Sequence, residues 1–439
     1  MANRGHSLGL VMLTALVVGN MIGSGIFLLP SALAQYGSIS LMGWVFTAIG
    51  AMLLALVFAR LSRAMPSTGG PYAFCREAFG DFIGFQAAYC YWVYAWIGNA
   101  AIAVGFAGYL GYFFPELNAD PTLRLGVLLA TVWVLTGVSI LGTWQAGIVQ
   151  VVLTAIKVLP LIFVGVAGLF FFKAENFLPF NATDLPDIEA LMAAATLTLW
   201  AFIGMESATI PAGDVHEPEK KIPKATIIGV TVVALIYLLG SFSIMGVLSN
   251  EVLRGSHAPY ADAALQMFPG QTWIAAFIAF GAVISCLGAL NGWIMVQAQV
   301  PMAAAKDGLF PKMFGKTNKQ GVPYIGLIIS SLFISILLVM SQSEHLVKQF
   351  EFIILLATTV VMIPYAYSTI GEIMIFRQNP SKFRGVHFVK SAIMASLAFA
   401  YVLWAIAGSG LLPVFYAVML LLAGTPIYVG LKAGAPEQR

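Results

Sequence analysis

GNMIGSGIFLLP, Gly19 to Pro30, lies in the middle of the first long apolar run of this chain. The run extends from Leu8 to Ala34, which exceeds the roughly 20 residues that a helix needs to cross a bilayer. Its centre nevertheless carries Gly23, Ser24 and Gly25, which are poor residues for a helix interior. A backbone break in hydrocarbon exposes polar groups that cost several kcal/mol each unless protein, water or ligand satisfies them. We therefore expect this break to face a binding site rather than lipid.

The composition places the whole chain in a membrane. Of its 439 residues, 60% are hydrophobic and 9% are charged, and the mean hydropathy is +0.89. Soluble domains carry about 25% charged residues, so a large soluble enzyme is excluded. The net charge of +3 is spread over several loops and gives no reason to expect nucleic-acid binding. Neither a cofactor nor a metal site is predicted, because the three cysteines lack metal-type spacing.

Twelve apolar stretches are long enough to be transmembrane spans, so we predict an all-α polytopic membrane protein. Their approximate bounds are 8–35, 40–62, 82–113, 122–142, 145–172, 190–212, 223–248, 271–304, 322–341, 350–375, 388–408 and 411–432. Most lysines and arginines fall into inner loops if both termini are inside, and the opposite loops keep only Arg124, Lys173, Arg254 and Lys348. This asymmetry follows the positive-inside rule and predicts cytoplasmic termini.

A second span is interrupted in the same manner. Span six reads LTLWAFIGMESATIPAG, Leu197 to Gly213, and carries Gly204, Glu206 and Ser207 inside an apolar helix. It follows the interrupted span one by five spans, and two broken helices in corresponding positions are typical of inverted-repeat transporters. We predict one transporter domain, with five-span repeats at about 8–172 and 190–375 and two extra spans at about 388–432.

The break in span one suits the head group of an α-amino acid. The half-helix that begins near Ser24 and Gly25 presents free N–H groups and a positive dipole end, which favour a carboxylate. The preceding half-helix and the break in span six offer carbonyls, which suit an ammonium group. The alternative is that Gly23 and Gly25 only allow close helix packing and that Ser24 bonds to its own helix.

Glu206 is the most unusual ionisable residue in the spans. A carboxylate near the middle of the bilayer costs roughly 3 kcal/mol, so we expect it to face a cavity, a partner or a substrate. A role linked to protons or substrate is one interpretation, and a structural ion pair with Lys157 is the other. Glu372, near the inner end of span ten, is expected to be interfacial.

Aromatic residues accompany both breaks. Trp200 precedes Glu206 in span six, Trp293 lies in span eight, and Tyr91 and Asn99 lie in the aromatic-rich span three. Aromatic faces bind desolvated cations by about 2 kcal/mol or more. Each ring could equally serve packing or the membrane interface, and the sequence leaves both readings open.

Four segments carry a family resemblance that covers nearly the full chain. GNMIGSGIFLLP, TLWAFIGMESA, HEPEKKIPKATIIG and AAAKDGLFPKMFGKTNKQGVP resemble the basic amino acid/polyamine antiporters of the amino acid–polyamine–organocation superfamily. The likeness is strongest to bacterial arginine/agmatine and lysine/cadaverine antiporters. It implies a twelve-span LeuT-like fold, a homodimer in the bacterial inner membrane, and exchange of an external amino acid for its internal decarboxylation product. Such exchange would support acid resistance.

The resemblance also assigns roles to residues of the two breaks. It places Ser24 and Gly25 at the substrate carboxylate, and it places the backbone around Met21, Trp200 and Ile203 near the α-ammonium group. Trp200 would close over the substrate from outside.

Further residues are assigned to the distal end of the substrate. Trp293 would stack on the distal cationic group, and Asn99 and Ala357 would lie at the side-chain end. Tyr94 replaces a small residue of the arginine antiporters, while Ala357 and Val361 stand where those proteins have hydroxyl groups. The resemblance therefore supports the family more strongly than it supports arginine as the substrate. Lysine, ornithine, histidine or an aromatic amino acid remain candidates.

Gating and acid activation are assigned to three residues. Tyr91 matches a gating aromatic residue, Tyr365 matches an inner gate, and Glu206 matches a carboxylate linked to acid activation. Proton-coupled uptake of an amino acid or polyamine is the alternative function. An enzyme is not expected, because Glu206 has no catalytic partner at suitable spacing and all five histidines lie in termini or loops.

Overall fold

The computed structural model describes residues 8–66, 69–141, 147–210, 212, 215–342, 345–378 and 386–433. Within these ranges the secondary structure consists of helices, apart from one isolated bridge between Leu8 and Val215. Helices predominate because a helix satisfies the polar groups of its own backbone, which lipid cannot do.

Seventeen α-helices are present in the described residues. In chain order they are α1 Leu10–Met21, α2 Ser24–Leu33, α3 Ile39–Ala64, α4 Pro71–Phe79, α5 Asp81–Leu110, α6 Glu116–Ala119, α7 Pro121–Ile140, α8 Gly147–Gly168, α9 Asp187–Leu199, α10 Pro218–Val247, α11 Asn250–Gly255, α12 Pro259–Met267, α13 Thr272–Lys306, α14 Tyr324–Met340, α15 Leu346–Gln378, α16 Val386–Gly408 and α17 Leu411–Ala433.

Ten helical segments of the described chain are long and apolar enough to cross a membrane. Two shorter apolar helices, Thr154–Gly168 and Tyr324–Met340, fall where the sequence predicts spans five and nine. Part of predicted span five, residues 145 and 146, lies outside the described residues. The polytopic helical class is therefore confirmed.

One helix forms the centre of the fold. Every residue of α5 from Gly84 to Tyr109 is buried, and α5 packs against α13 and α15. In contrast, α17 buries only Pro413, Ala417 and Gly424 among its residues, so most of its apolar surface faces outward. Apolar surface that is exposed over a whole helix is expected where the solvent is lipid.

Both predicted helix breaks are present. The first break consists of Ile22 and Gly23, between α1 and α2. The second break, Ile203 to Glu206, separates a 3-10 turn at Trp200–Phe202 from another at Ser207–Thr209. Pro211 and Gly213, at the end of the quoted span-six segment, lie outside the described residues.

Glu372, which the sequence predicts to be interfacial, is enclosed by the protein rather than exposed. Its carboxylate is fully buried in α15 and accepts hydrogen bonds from Arg60 Nε and Nη2, the latter at 3.0 Å, and from Ser391 Oγ. The bidentate guanidinium supplies the positive charge that a buried carboxylate requires, which allows Glu372 to lie inside the protein. Cys75, Cys90 and Cys286 are unpaired and buried, as the sequence predicts.

Candidate functional site

The first break is held by a buried lysine. Lys157 of α8 is 2% exposed, and its Nζ donates to the carbonyl oxygens of Gly19 at 3.1 Å and Ile22 at 3.4 Å. These carbonyls form the C-terminal, negative end of α1, where a cation is favourable. The alternative ion pair between Lys157 and Glu206 is therefore wrong, because the ammonium group caps the broken helix instead.

Two further side chains bind carbonyls at the breaks. The Tyr237 hydroxyl lies 2.7 Å from Met21 O and 3.0 Å from Ala201 O, so it can donate its one proton to a carbonyl of either broken helix. Trp293 Nε1 donates to Asn20 O at 3.3 Å. The carbonyl of Met21, which the resemblance places near the substrate ammonium group, thus already accepts a protein donor. A carbonyl oxygen has two lone pairs, so it retains capacity for a ligand.

The start of α2 has the features of an anion site. Gly23 precedes α2 without a side-chain cap among the described residues, so the first N–H groups of α2 remain available. The Ser24 hydroxyl is buried and has no hydrogen-bond partner among the described residues. A Cβ at Gly25 would lie 3.1 Å from Ala201 Cβ and 3.2 Å from Trp200 Cδ1, which is closer than ordinary packing. Glycine therefore lets the start of α2 approach the second break.

The second break approaches the first through a residue with positive φ. Ile203 is extended, and Gly204 has a φ of +107°, which L side chains rarely adopt. A Cβ at Gly204 would lie 3.2 Å from the carbonyl carbon and oxygen of Asn20. Both the conformation and the contact require glycine, and together they place the two breaks side by side inside the protein.

Three aromatic rings meet beside the breaks. Tyr94 of α5 makes edge contacts with Trp293 of α13, at 5.6 Å between ring centroids, and with Trp200, at 6.3 Å. All three rings are buried. Tyr94 thus contacts both of the tryptophans to which the resemblance assigns substrate contacts, and it occupies space beside them.

Glu206 lies at the end of the second break and joins three segments. Its fully buried carboxylate accepts a hydrogen bond from Tyr91 OH at 2.7 Å, another from Tyr365 OH, and one from Gly204 N at 3.2 Å. Tyr91 belongs to α5 and Tyr365 to α15, so the three residues assigned to gating form one cluster. An ionised carboxylate only accepts hydrogen bonds, so protonation of Glu206 would turn one of its oxygens into a donor and change one of these two hydrogen bonds.

Asn99 contacts a residue that the sequence analysis does not single out. Its Nδ2 donates to Gln297 Oε1 at 2.8 Å, while Asn99 Oδ1 and Gln297 Nε2 have no partner among the described residues. Both amides are fully buried. Ala357 and Val361 are buried in α15, which packs against α2 and the Trp200–Phe202 turn.

Two residues of the site escape sequence reasoning. Tyr237 is a single tyrosine in the apolar helix α10, and Gln297 is one of three side-chain amides in α13. The polar character of Gln297 within a span is the one signal that could have marked it. For Tyr237, no spacing or neighbouring motif predicts that its hydroxyl reaches both breaks.

Comparisons with known proteins identify the family of this chain. The amino acid permease family model matches residues 8–431. A cadaverine/lysine antiporter of Escherichia coli strain K12 is 35% identical over 373 residues, which cover 83% of each chain. An arginine/ornithine antiporter of Pseudomonas aeruginosa is 32% identical over 97% of this chain and 91% of its own. The putrescine transporter PotE of Haemophilus influenzae is 31% identical over 98% of both chains.

The family match spans nearly the whole chain, and each alignment covers most of the length of the relative. The two paired breaks lie within the matched residues. This chain belongs to the amino acid permease family.

Proposed function

We propose that this protein is a secondary antiporter that exchanges an external, cationic amino acid for its decarboxylated amine. The observation that carries the proposal is the start of α2, with its buried Ser24 hydroxyl and free helix end, set against the second break. The name of the cadaverine/lysine antiporter supports it, because cadaverine is decarboxylated lysine. The arginine/ornithine and putrescine names support cationic amino acids and diamines as the substrate class.

In this proposal the substrate lies between the breaks. Its carboxylate is bound by the N–H groups at Ser24 and Gly25, and its α-ammonium group by carbonyls around Met21, Trp200 and Ile203. The distal cation stacks on Trp293. Tyr94 shortens the distal region, which favours lysine or ornithine over arginine.

The inner gate of this proposal is the cluster of Glu206, Tyr91 and Tyr365. Its hydrogen bonds hold the second break to α5 and α15, so the path toward the cytoplasm opens only when they separate. Protonation of Glu206 removes the negative charge that both hydroxyls bind and weakens this closure. Acid activation follows, and the import of a monocation against export of a dication supports acid resistance.

The same proposal includes the finer architecture. Twelve spans form two inverted five-span repeats, at about 8–172 and 190–375, with spans eleven and twelve outside them. The protein is a homodimer in the bacterial inner membrane with both termini in the cytoplasm. The basic residues of the predicted inner loops support this orientation.

Counterflow in proteoliposomes tests the exchange. Internal cadaverine, putrescine, agmatine or histamine should accelerate uptake of radiolabelled lysine, ornithine, arginine or histidine, with one matched pair giving the largest effect. If none of these amines accelerates uptake and an imposed proton gradient does, the protein is a proton-coupled uptake transporter. The Glu206 cluster is the feature that favours this second candidate.

Substitution of Trp293 tests the site itself. Trp293→Ala should weaken binding of the cationic substrate at least about tenfold, because the aromatic face for a desolvated cation is lost. Trp273→Ala is the matched control, since Trp273 lies in the same helix and is 67% exposed. Unchanged affinity of Trp293→Ala by isothermal titration calorimetry would remove Trp293 from the substrate site.

A further inference from the structure

A cavity lies at the end of α2 that is remote from the first break. It has a volume of about 280 Å³, close to the lower end of the roughly 300–1,000 Å³ typical of small-molecule sites. Its lining includes Ser31, Gln35, Arg254, His257, Lys348 and Glu351. These residues come from the end of the first span, from the segment between α10 and α13, and from the start of α15. We call this cavity the outer pocket.

Two helices independently fix the position of the outer pocket. Ser31 lies seven residues beyond Ser24, and Glu351 lies six residues before Ala357. At 1.5 Å per residue, both spacings place the pocket roughly 10 Å from the central site. In the proposed orientation this is the side from which external substrate arrives. A molecule that enters along α2 and α15 therefore meets the outer pocket first.

The outer pocket contains a carboxylate, Glu351, that forms no ion pair within 4.0 Å among the described residues. Glu351 Oε1 accepts a hydrogen bond from Gln35 Nε2 at 2.6 Å, and the ion pairs within the described part of the chain do not include Glu351. Its side chain is only partly exposed. A half-buried carboxylate that receives one neutral donor favours the approach of an ammonium or guanidinium group.

A second polar group in the outer pocket is also unsatisfied. Ser31 is 2% exposed, and its hydroxyl has no hydrogen-bond partner among the described residues. Buried polar groups usually have partners, so a buried hydroxyl that lines a cavity is expected to bind what enters it. Glu351 and Ser31 thus supply a charged and a neutral acceptor for one ligand.

Two basic side chains, Arg254 and Lys348, also line the outer pocket. Arg254 donates to the carbonyls of Ala34, Gln35 and Ala182 at 3.1 to 3.4 Å, which fixes its guanidinium without neutralising its charge. Lys348 is exposed and lies one helical turn from Glu351 in α15. Burial and the nearby Arg124 lower the pKa of His257, which leaves its imidazole neutral near pH 7. The pocket therefore combines one carboxylate with two permanent cations.

This charge pattern fits an amino acid better than an amine. The carboxylate of an amino acid can approach Arg254 and Lys348 while one of its ammonium groups approaches Glu351. A diamine has no carboxylate, so its second positive charge meets two cations with nothing to offset them. The outer pocket can therefore distinguish the two forms of the exchanged pair by the one group in which they differ.

We propose that the outer pocket is a second substrate site, which binds the amino acid form of the exchanged pair and excludes the decarboxylated amine. The proposal rests on the proposed exchange function for its biological meaning. Its effect is directional: incoming amino acid is retained at the outer mouth, and outgoing amine is released.

Chemical footprinting tests the site without transport. Diethylpyrocarbonate modifies neutral histidines, and His257 and His345 both line the outer pocket. L-Lysine should slow modification of these two residues at least threefold by mass spectrometry, and cadaverine should not. The exposed His216 is the internal control, and its rate should not change. The same protection in Trp293→Ala would assign it to the outer pocket rather than to the central site.

Substitution of the carboxylate provides the second readout. Glu351→Gln should abolish protection and raise the KM for external L-lysine at least fivefold, while kcat and the KM for external cadaverine change less than twofold. Glu351→Asp keeps the carboxylate, so it should retain most of the protection by L-lysine and a KM for external L-lysine close to that of the wild type. Glu251→Gln is the matched control, because Glu251 is exposed in α11 of the same outer segment.

Each outcome decides the proposal. Equal protection by lysine and cadaverine, protection that survives in Glu351→Gln or disappears in Trp293→Ala, or an unchanged KM for lysine in Glu351→Gln would overturn it. Absence of amine exchange in the wild-type protein would instead reject the proposed function, and the footprint would still decide whether the outer pocket binds an amino acid.

Discussion

The two broken helices satisfy their exposed backbone in opposite ways. The carbonyls around the first break accept hydrogen bonds from Lys157, Tyr237 and Trp293, which belong to three other helices. The second break uses its own residues: Ser207 N donates to Gly204 O, and Glu206 accepts from Gly204 N. One break is thus held from outside, and the other is held partly by itself.

This difference indicates that the two breaks have different roles. A lysine ammonium group fixes the first break in place, so the start of α2 keeps one orientation toward a ligand. The second break is fixed through a carboxylate that two tyrosines from separate helices share. Loss of that arrangement frees the second break from α5 and α15. We therefore expect the first break to bind substrate and the second to control access.

The largest effect should follow from Lys157→Met. Loss of the ammonium group leaves the carbonyls of Gly19 and Ile22 without their charged donor, which costs about 3 kcal/mol and reduces exchange roughly 100-fold. Counterflow rates and the melting temperature measure the change. The exposed Lys173 provides the control Lys173→Met. Exchange within threefold of wild type in Lys157→Met would show that the first break does not need an external cation.

Glu206→Gln should have the next largest effect on the rate of exchange, and it should also change the pH dependence of exchange. A glutamine oxygen can accept from one tyrosine, but its NH₂ group then faces the other hydroxyl, so closure of the second break weakens. We expect exchange to fall about 10- to 30-fold and its pH dependence to flatten over the measured pH range, because the titrating group is gone. Exchange measured across that range, with Glu189→Gln of α9 as control, decides this. A steep profile that persists would exclude Glu206 from proton sensing.

The sequence predicts the positions of both breaks because their cause is local. Gly23, Ser24 and Gly25 in one span, and Gly204 with Glu206 in another, are unsuited to a helix in lipid wherever the rest of the chain lies. Hydropathy likewise predicts the helical class, since lipid permits few other structures. These predictions need no knowledge of which helices are neighbours.

The partners of the breaks could not be predicted in the same way. Lys157 and Glu206 are both ionisable residues in spans, and their pairing is plausible until the packing of α8 against α1 shows that the lysine reaches Gly19 and Ile22. Glu372 was expected at the interface for the same reason, because nothing local indicates that Arg60 lies beside it. The partner of each buried ionisable residue depends on how distant segments of the chain pack together.

Gly204→Ala tests whether the breaks must lie in contact. The φ of +107° disfavours alanine, and its Cβ would lie 3.2 Å from the carbonyl group of Asn20. Strain of about 1 to 2 kcal/mol is expected to reduce exchange about tenfold while the protein remains folded. Gly126→Ala of α7 is the matched control, because a Cβ there meets no atom within 4 Å. Equal rates for the two variants would contradict the need for close approach.

The smallest effect is expected for Tyr237→Phe, which removes the single hydrogen bond that the two breaks share. The hydroxyl donates to Met21 O or Ala201 O, and its loss should cost about 1 kcal/mol because each carbonyl retains a second lone pair for substrate or water. Exchange should fall about fivefold through a higher KM, with the pH profile unchanged, since Glu206 is not part of this bond. Tyr416→Phe on the exposed surface of α17 is the control. An altered pH profile with an unchanged KM would mean that Tyr237 acts through the second break, and the division between a binding break and a gating break would then fail.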